Sequence, residues 1–192
     1  MAAVLELPPD PERPEKPALS VTSASGLKPI ERLTSDSRID RIVPESDTLT
    51  VLQYSSQFAR NFIRSDYNFC AAKIAVARGG KLHALDTAVR EASEWLKKSI
   101  DWVAKHNARS IELPHEAIEL KITRPLAGAL VRCLTQFDRL FVATLEAVLA
   151  EKIQSTDRAN ILANAERRIR HIAQVCIPDN DQYDFDGTRR DQ

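Results

Sequence analysis

The sequence predicts a mainly α-helical protein that carries a small two-stranded β ribbon. Between residues 48 and 178, apolar residues mostly recur at three- and four-residue spacing, which is typical of amphipathic helices. Residues 48–54 and 117–123 break this pattern, and in the second segment apolar and polar residues alternate as they do along a half-buried strand. Because one strand cannot satisfy its own backbone groups, each segment needs a partner, which is either the other segment or its copy in a second subunit.

The two ends of the chain differ in composition from this helical body. Residues 1–47 hold seven of the ten prolines, 9 acidic residues and 6 basic residues, and they have few apolar side chains that offset the cost of ordering a backbone. We therefore expect a disordered, proline-rich acidic arm. Residues 179–192 follow Pro178 and hold 5 acidic and 2 basic residues. This predicts an acidic irregular tail, with Tyr183 and Phe185 as the side chains expected to dock on the body.

Two helices are predicted upstream of the second strand segment. The first covers residues 57–77, with an interruption at Ser65 and Asp66, and the second covers residues 82–106. The apolar positions expected in the core of the first helix are Phe58, Phe62, Phe69 and Val76. Those of the second are Leu85, Val89, Ala92, Leu96, Ile100 and Val103.

Two further helices follow the second strand segment. One begins at Pro125, because proline suits the first helical turn, and carries an apolar stripe from Leu126 to Val148. The other begins at Ser155 or Thr156, either of which can cap free backbone amides, and runs to Cys176.

Each strand segment runs directly into a helix. The two units align with an offset of 68 residues, which matches Leu52 with Leu120 and Phe62 with Leu130. An internal duplication explains this agreement, and so does chance, since few residues are identical.

The formal net charge of zero hides an uneven distribution. Residues 48–178 hold 19 basic and 13 acidic residues, so a basic body stands between two acidic ends. Clustered lysine and arginine release counterions from phosphate, which makes such a body compatible with binding a polyanion. An ordinary solvated surface explains the same excess equally well.

The sequence shows no constellation of catalytic, cofactor-binding or metal-binding residues, so we expect a protein that is not an enzyme and needs no cofactor. His115 and Glu116 begin like a zinc-protease helix, but Glu119 stands where the second histidine must be. Cys133 and Cys176 fall on or beside apolar stripes and are expected to be small core residues. The chain has neither a membrane-spanning apolar run nor a secretory signal at its start, and we therefore expect a cytoplasmic protein.

The second strand segment offers a surface for nucleic acid. Alternation along residues 117–123 buries the aliphatic side chains and turns three polar side chains outward. These are Glu119, Lys121 and Thr123. A two-stranded ribbon fits the major groove of DNA, where lysine donates to guanine and threonine contacts a thymine methyl, and Arg124 with the following helix start would grip phosphate. The competing interpretation is the ordinary solvated face of a sheet.

A second basic surface lies on the last predicted helix. Arg167 and Arg170 lie one turn apart there, as do Arg168 and His171, and together they form a basic ridge suited to phosphate. The same residues lie near the helix C-terminus, where cations offset the macrodipole. This ordinary role explains part of the cluster without DNA.

Three motifs and the order of the segments resemble a known family. The motifs are Leu49-Thr50-Val51-Leu52 followed by Phe58-Ala59-Arg60-Asn61-Phe62, then Leu134-Thr135-Gln136-Phe137-Asp138-Arg139-Leu140, and Gly187-Thr188-Arg189-Arg190-Asp191. They are similar to a family of proteins encoded by integrating conjugative elements and conjugative plasmids, which includes the AcaB-type transcriptional regulators. The resemblance extends over residues 49–191.

The resemblance implies a ribbon-helix-helix-related dimer that binds promoter DNA, with Glu119, Lys121 and Thr123 on the base-reading ribbon. The resulting hypothesis is a sequence-specific transcriptional regulator of a mobile genetic element, acting on conjugation or integration genes as a homodimer on double-stranded DNA. The alternative is a non-catalytic interaction component of conjugative transfer or element maintenance, which would bind other element-encoded proteins through its helical surface and acidic arms.

Overall fold

A computed structural model describes residues 49–105 and 110–190. The predicted acidic arm, residues 1–47, lies outside the described residues, as do Asp191 and Gln192 at the end of the tail. The described part of the chain is mainly helical with one two-stranded antiparallel sheet, as the sequence predicts. None of its helices combines the length and the apolar run that a bilayer crossing demands.

The described residues form a strand and three α-helices, then a second strand and two α-helices. Strand β1 covers Leu49–Tyr54, α1 covers Gln57–Phe62, a π-helical segment covers Ile63–Tyr67, α2 covers Asn68–Val76 and α3 covers Gly80–Ala104. Strand β2 covers Glu116–Lys121, α4 covers Pro125–Leu149, α5 covers Ser155–Cys176 and a 3₁₀ turn covers Asn180–Gln182. The predicted positions of both strands and of all the long helices agree with these bounds to within a few residues.

The two strands pair with each other within one chain. The ladder matches Leu49 with Lys121 at one end and Tyr54 with Glu116 at the other. Each strand could pair with the other strand or with its copy in a second subunit, and the fold uses the other strand of the same chain. A complete ribbon therefore forms without a second subunit. This topology does not confirm the ribbon-helix-helix arrangement that the resemblance implies.

The two strand–helix units keep the offset seen in the sequence. Val51 pairs with Glu119, and helices α1 and α4 begin at Gln57 and Pro125, so both pairs are 68 residues apart. An antiparallel ladder has a local two-fold axis midway between opposite residues. A half-turn about the axis between Val51 and Glu119 therefore superposes each β1 residue on the β2 residue 68 positions later. An internal duplication stays a hypothesis.

The core lies where α3, α4 and α5 pack against one another. Their apolar stripes supply most of the fully buried side chains, and each fully buried leucine or phenylalanine contributes about 1.5–3 kcal/mol. The largest of these are Leu85, Leu96, Leu130, Leu134, Phe137, Leu140, Ile169 and Ile172. Helix α1 packs on α4, and α2 packs on both α4 and α5.

The core positions predicted for the first helical segment are partly wrong. The interruption at Ser65 and Asp66 is present as the π-helical segment Ile63–Tyr67. A π turn holds about one residue more than an α turn, so the buried face shifts relative to an unbroken helix. Phe69 and Val76 are consequently exposed by 44% and 43%. Their places in the core are taken by Ile63, Tyr67, Cys70 and Ile74.

Both ends of α5 depart from expectation. The helix begins at Ser155, but the N-cap is Gln154, which forms a reciprocal capping box with Asp157. The last turn contains no basic residue, so the arginine ridge lies too far from the C-terminus to offset the macrodipole. The buried Lys81 does so instead: its Nζ donates to the carbonyl oxygen of Cys176 at 2.8 Å and to that of Pro178. Burial lowers the pKa of Lys81, and the Lys73 ammonium lowers it further.

Only one of the two tail aromatics predicted to dock does so. Tyr183 is buried, and its hydroxyl donates to the carbonyl oxygen of Val175 at 3.1 Å. Phe185 is 93% exposed. Gly187, two residues after Phe185, adopts a φ of +90°, and a Cβ at this position would lie 3.0 Å from the Ala84 nitrogen. The turn therefore requires glycine both for its backbone angle and for its close approach to α3.

The Asp138 carboxylate fastens the end of β1 to helix α4. The backbone nitrogen of Ser55 donates to Asp138 Oδ1 and Oδ2 at 3.0 and 3.1 Å, and that of Ser56 donates to Oδ1 at 2.7 Å. One turn earlier on α4, Thr135 Oγ1 lies 3.3 Å from the hydroxyl oxygen of the buried Tyr54. The link between β1 and α1 is thus held by two residues of α4.

We predict that Asp138→Ala lowers the free energy of unfolding by about 2–3 kcal/mol, because hydrogen bonds to a charged group are strong and Ser56 becomes a buried donor without an acceptor. Urea unfolding followed by circular dichroism measures the change. Asp101→Ala, on an exposed position of α3, is the matched control. Equal losses in the two variants would contradict the anchoring role.

A buried phenol gives a second stability prediction. Within the described part of the chain, the Tyr67 hydroxyl has no hydrogen-bond partner, and burial raises the pKa of Tyr67 to about 12. We expect Tyr67→Phe to raise the free energy of unfolding at neutral pH by about 1 kcal/mol, because it removes an unsatisfied buried group. Tyr183→Phe is the control and should lower it, since Val175 loses a donor.

The same phenol affects stability at high pH. The pKa of Tyr67 in the folded protein lies above the unfolded value of 10.0, so the unfolded chain releases this proton at a lower pH than the folded protein does. Tyr67 ionisation therefore leaves the free energy of unfolding unchanged below pH 10 and lowers it as the pH rises toward 12. The stability of the wild type should therefore fall more steeply than that of Tyr67→Phe in urea unfolding above pH 10. Parallel curves for the two proteins would show that Tyr67 ionises normally.

Candidate nucleic-acid interface

One face of the ribbon points away from the helices. Residues opposite each other in an antiparallel pair share a face, and two outward pairs are Val51 with Glu119 and Gln53 with Ala117. All four side chains are exposed, and Val51 is exposed by 57%. The alternate positions point inward, where Tyr54 and Leu120 are buried. The ribbon therefore has one packed side and one open side.

Glu119 and Lys121 lie on the open side, as the alternation predicts. Both are exposed, and neither side chain makes an ion pair or hydrogen bond to any residue within 49–105 or 110–190. Thr123, by contrast, is not on the ribbon. Strand β2 ends at Lys121, opposite the first residue of β1, and the chain then turns into α4. Thr123 is half-buried in this turn, two residues after the last residue of β2.

Arg124 stands at the start of α4. It is the N-cap residue, with extended φ and ψ of −131° and 143°, and its exposed side chain makes no capping bond. The next residue, Pro125, occupies the first turn as predicted, and that turn contains no acidic residue. A positive side chain and the positive end of a 25-residue helix therefore coincide directly after the ribbon.

A pair of arginines near the other end of the ribbon was missed by the sequence analysis. Glu116 Oε2 lies 3.4 Å from an Arg60 guanidinium nitrogen, and Glu116 Oε1 contacts Arg64. These ion pairs are partly exposed and contribute less than about 1 kcal/mol each. The four-residue spacing of Arg60 and Arg64 was the available signal, because it places two cations on one side of a helix.

The arginine ridge on α5 is exposed, but two of its members are engaged in packing. The Arg168 guanidinium lies 5.0 Å from the ring centroid of Trp95. That of Arg170 lies 5.3 Å from the Phe58 ring and 3.2 Å from a Glu166 carboxylate oxygen. Arg167 has no such partner among the described residues. These contacts hold Arg170 next to α1 and thus near the start of the helix that follows β1.

The ridge borders a groove of about 660 Å³ between α3 and α5. Three alanines line it, and the carboxylates of Glu91 and Glu166 stand beside the arginines and His171. The lining therefore carries charges of both signs and is less basic than the run of arginines in the sequence indicates.

The cysteines and histidines do not form a chemical site in the described residues. No group of three or more His, Cys, Asp or Glu side chains in residues 49–105 and 110–190 is placed to hold a metal ion. Cys133 and Cys176 are buried, as predicted for core residues, and so is Cys70. Burial raises the pKa of the Cys133 thiol to about 11, which makes it a poor nucleophile.

Comparison with known proteins shows a relationship of fold. No family model and no curated protein matches the chain. The fold is similar to that in the crystal structure of selenomethionine-containing AcaB from uropathogenic E. coli, with a TM-score of 0.56 and 13% sequence identity, over 68% of this chain and 77% of that chain. At this identity the likeness shows a shared fold and carries no residue roles. It agrees in part with the family resemblance found in the sequence.

Proposed function

We propose that the protein is a sequence-specific DNA-binding transcriptional regulator of a mobile genetic element, acting on conjugation or integration genes. The observation that carries this proposal is the open side of the ribbon, which presents Glu119 and Lys121 without partners among the described residues. The AcaB-like fold supports it, because the sequence resemblance is to a family that includes AcaB-type transcriptional regulators.

The ribbon would enter the major groove with its open side toward the bases. A two-stranded ribbon has the width that this groove admits. Lys121 would donate to the acceptors of guanine, and Glu119 would accept from the amino group of cytosine or hold the lysine in register. Desolvating either group is costly without a partner, so an incorrect base would be penalised at both positions.

Phosphate contacts would orient the ribbon. Arg124 and the N-terminus of α4 would bind the backbone at one end, with Thr123 contacting phosphate or sugar rather than a base, because it lies beyond the ladder. Arg167, Arg168 and Arg170 would bind phosphate farther along the duplex, with Arg167 as the most available of the three. The homodimer that the resemblance implies would present two ribbons, each complete within its own chain.

We predict that Lys121→Ala weakens binding to the preferred promoter fragment by about 1–3 kcal/mol, as expected for one good base contact. The measurement is a gel-shift titration on promoter fragments of the element that encodes the protein. Lys98→Ala, exposed on α3, is the control with the same loss of charge. Unchanged affinity of the Lys121 variant would reject the ribbon assignment.

The salt dependence of the same titration tests the proposal as a whole. A specific regulator should prefer one fragment, and the logarithm of its affinity should fall linearly with the logarithm of the salt concentration because counterions are released from phosphate. Equal and weak binding to all fragments would count against regulation of promoters.

A second candidate function is supported by an exposed aromatic surface. Trp102 is 45% exposed and lies between two grooves that also contain Ile153 and Ile161. Exposed tryptophan beside aliphatic side chains is enriched at protein interfaces. This surface favours a protein-interaction component of transfer or element maintenance, for which a pull-down should return element-encoded proteins that Trp102→Ala loses.

A further inference from the structure

Both strands contribute to the open side of the ribbon. The alternation in the sequence predicts base contacts from the second strand alone, but the register places Val51 beside Glu119 and Gln53 beside Ala117. Because the two strands come from one chain and differ in sequence, the two edges of this surface are chemically different. Lys121 stands at one end and Gln53 near the other.

The surroundings of Gln53 leave its amide available. Its side chain is exposed and makes no hydrogen bond to other residues of the described segments. The opposite residue, Ala117, carries only a methyl group and cannot bind the amide. A glutamine presented in this way offers one donor group and one acceptor, which matches N7 and the amino group of adenine in the major groove. The apolar Val51 next to it suits contact with a thymine methyl.

We infer that Gln53 is a second base-reading residue, selecting adenine, and that one chain reads an asymmetric DNA segment with Gln53 and Lys121 at its two ends. This inference rests on the proposed DNA-binding function. The ribbon needs no second copy of the chain to present both residues, so the asymmetry belongs to each protomer whatever the number of protomers on the DNA.

The ladder sets the spacing of the two contacts. Gln53 and Leu49, the partner of Lys121, are four residues apart on β1, which corresponds to about 13 Å along an antiparallel strand. At about 3.4 Å per base step, this distance spans about four base pairs. The adenine read by Gln53 should thus lie about four base pairs from the guanine read by Lys121.

The test is selection of bound duplexes from a random pool, followed by affinity measurements on the selected site. The full chain is used as wild type and as Gln53→Ala, Gln53→Arg and Lys121→Ala. Gln174→Ala, which removes an exposed glutamine from α5, is the matched control. Because the Gln53 side chain is exposed and has no described partner, we expect its variants to fold, and circular dichroism checks this.

We expect Gln53→Ala to lose the adenine preference at one position and to bind the selected site roughly 5- to 150-fold more weakly. Gln53→Arg should change the preference at that position from adenine to guanine, since arginine pairs with the two guanine acceptors. Lys121→Ala should relax a different position, about four base pairs away. Gln174→Ala should select the wild-type motif with unchanged affinity.

Other outcomes separate the inference from the proposed function. If Lys121→Ala relaxes the motif while both Gln53 variants select it unchanged, the role of Gln53 is overturned and DNA reading by the ribbon stands. If Gln53 and Lys121 variants relax the same position, the asymmetric arrangement is overturned. If the wild type selects no motif, the proposed function and the inference fail together.

Discussion

The position of the ribbon on the helices depends on the Asp138 carboxylate, which accepts hydrogen bonds from two backbone amides. Ser55 and Ser56 follow directly after β1, and their amides have no backbone partner within the described part of the chain. Asp138 satisfies both from the middle of α4. Since β2 leads directly into the same helix, the two strands are both tied to α4, one by a covalent connection and the other by charge-assisted hydrogen bonds. The open side of the ribbon points outward because its other side is held against this helix.

The distribution of packing contacts changes the meaning of the charge excess. Of the basic residues near the ribbon and on α5, several are already engaged: Arg60 and Arg64 with Glu116, Arg168 with Trp95, and Arg170 with Phe58 and Glu166. The number of basic residues in the sequence therefore overstates how many cationic side chains are available to bind a polyanion. Lys121 and Arg167 have no such partner in the described residues, and a lysine without an internal partner loses no existing interaction when it approaches a base or phosphate.

The motifs that carry the family resemblance have structural tasks in this fold. Thr135 and Asp138 hold the end of β1, Phe137 packs against Phe58 with ring centroids 4.8 Å apart, and Gly187 shapes the turn that returns the tail to α3. Thr135, Phe137, Asp138 and Gly187 lie away from the open side of the ribbon, whereas Val51 of the first motif lies on it. A resemblance that rests on such positions reports how the chain folds, and this is consistent with a structural likeness to AcaB at 13% identity. In the proposed function, DNA sequence preference would reside in Gln53, Glu119 and Lys121.

The sequence by itself determined the features that depend on local periodicity: the long helices, the start of α4 at Pro125, the interruption near Ser65, and the alternation that exposes Glu119 and Lys121. Tertiary structure decided what depends on the meeting of distant segments. Pairing of the strands within one chain brought Val51 and Gln53 onto the same face as Glu119, and the ion pairs of Glu116 join residues more than 50 positions apart. The π turn moved the buried face from Phe69 to Cys70, and β2 ended at Lys121, two residues before Thr123. Periodicity gives the face of an element relative to its own axis, whereas its partner and register are set by contacts that no local pattern encodes.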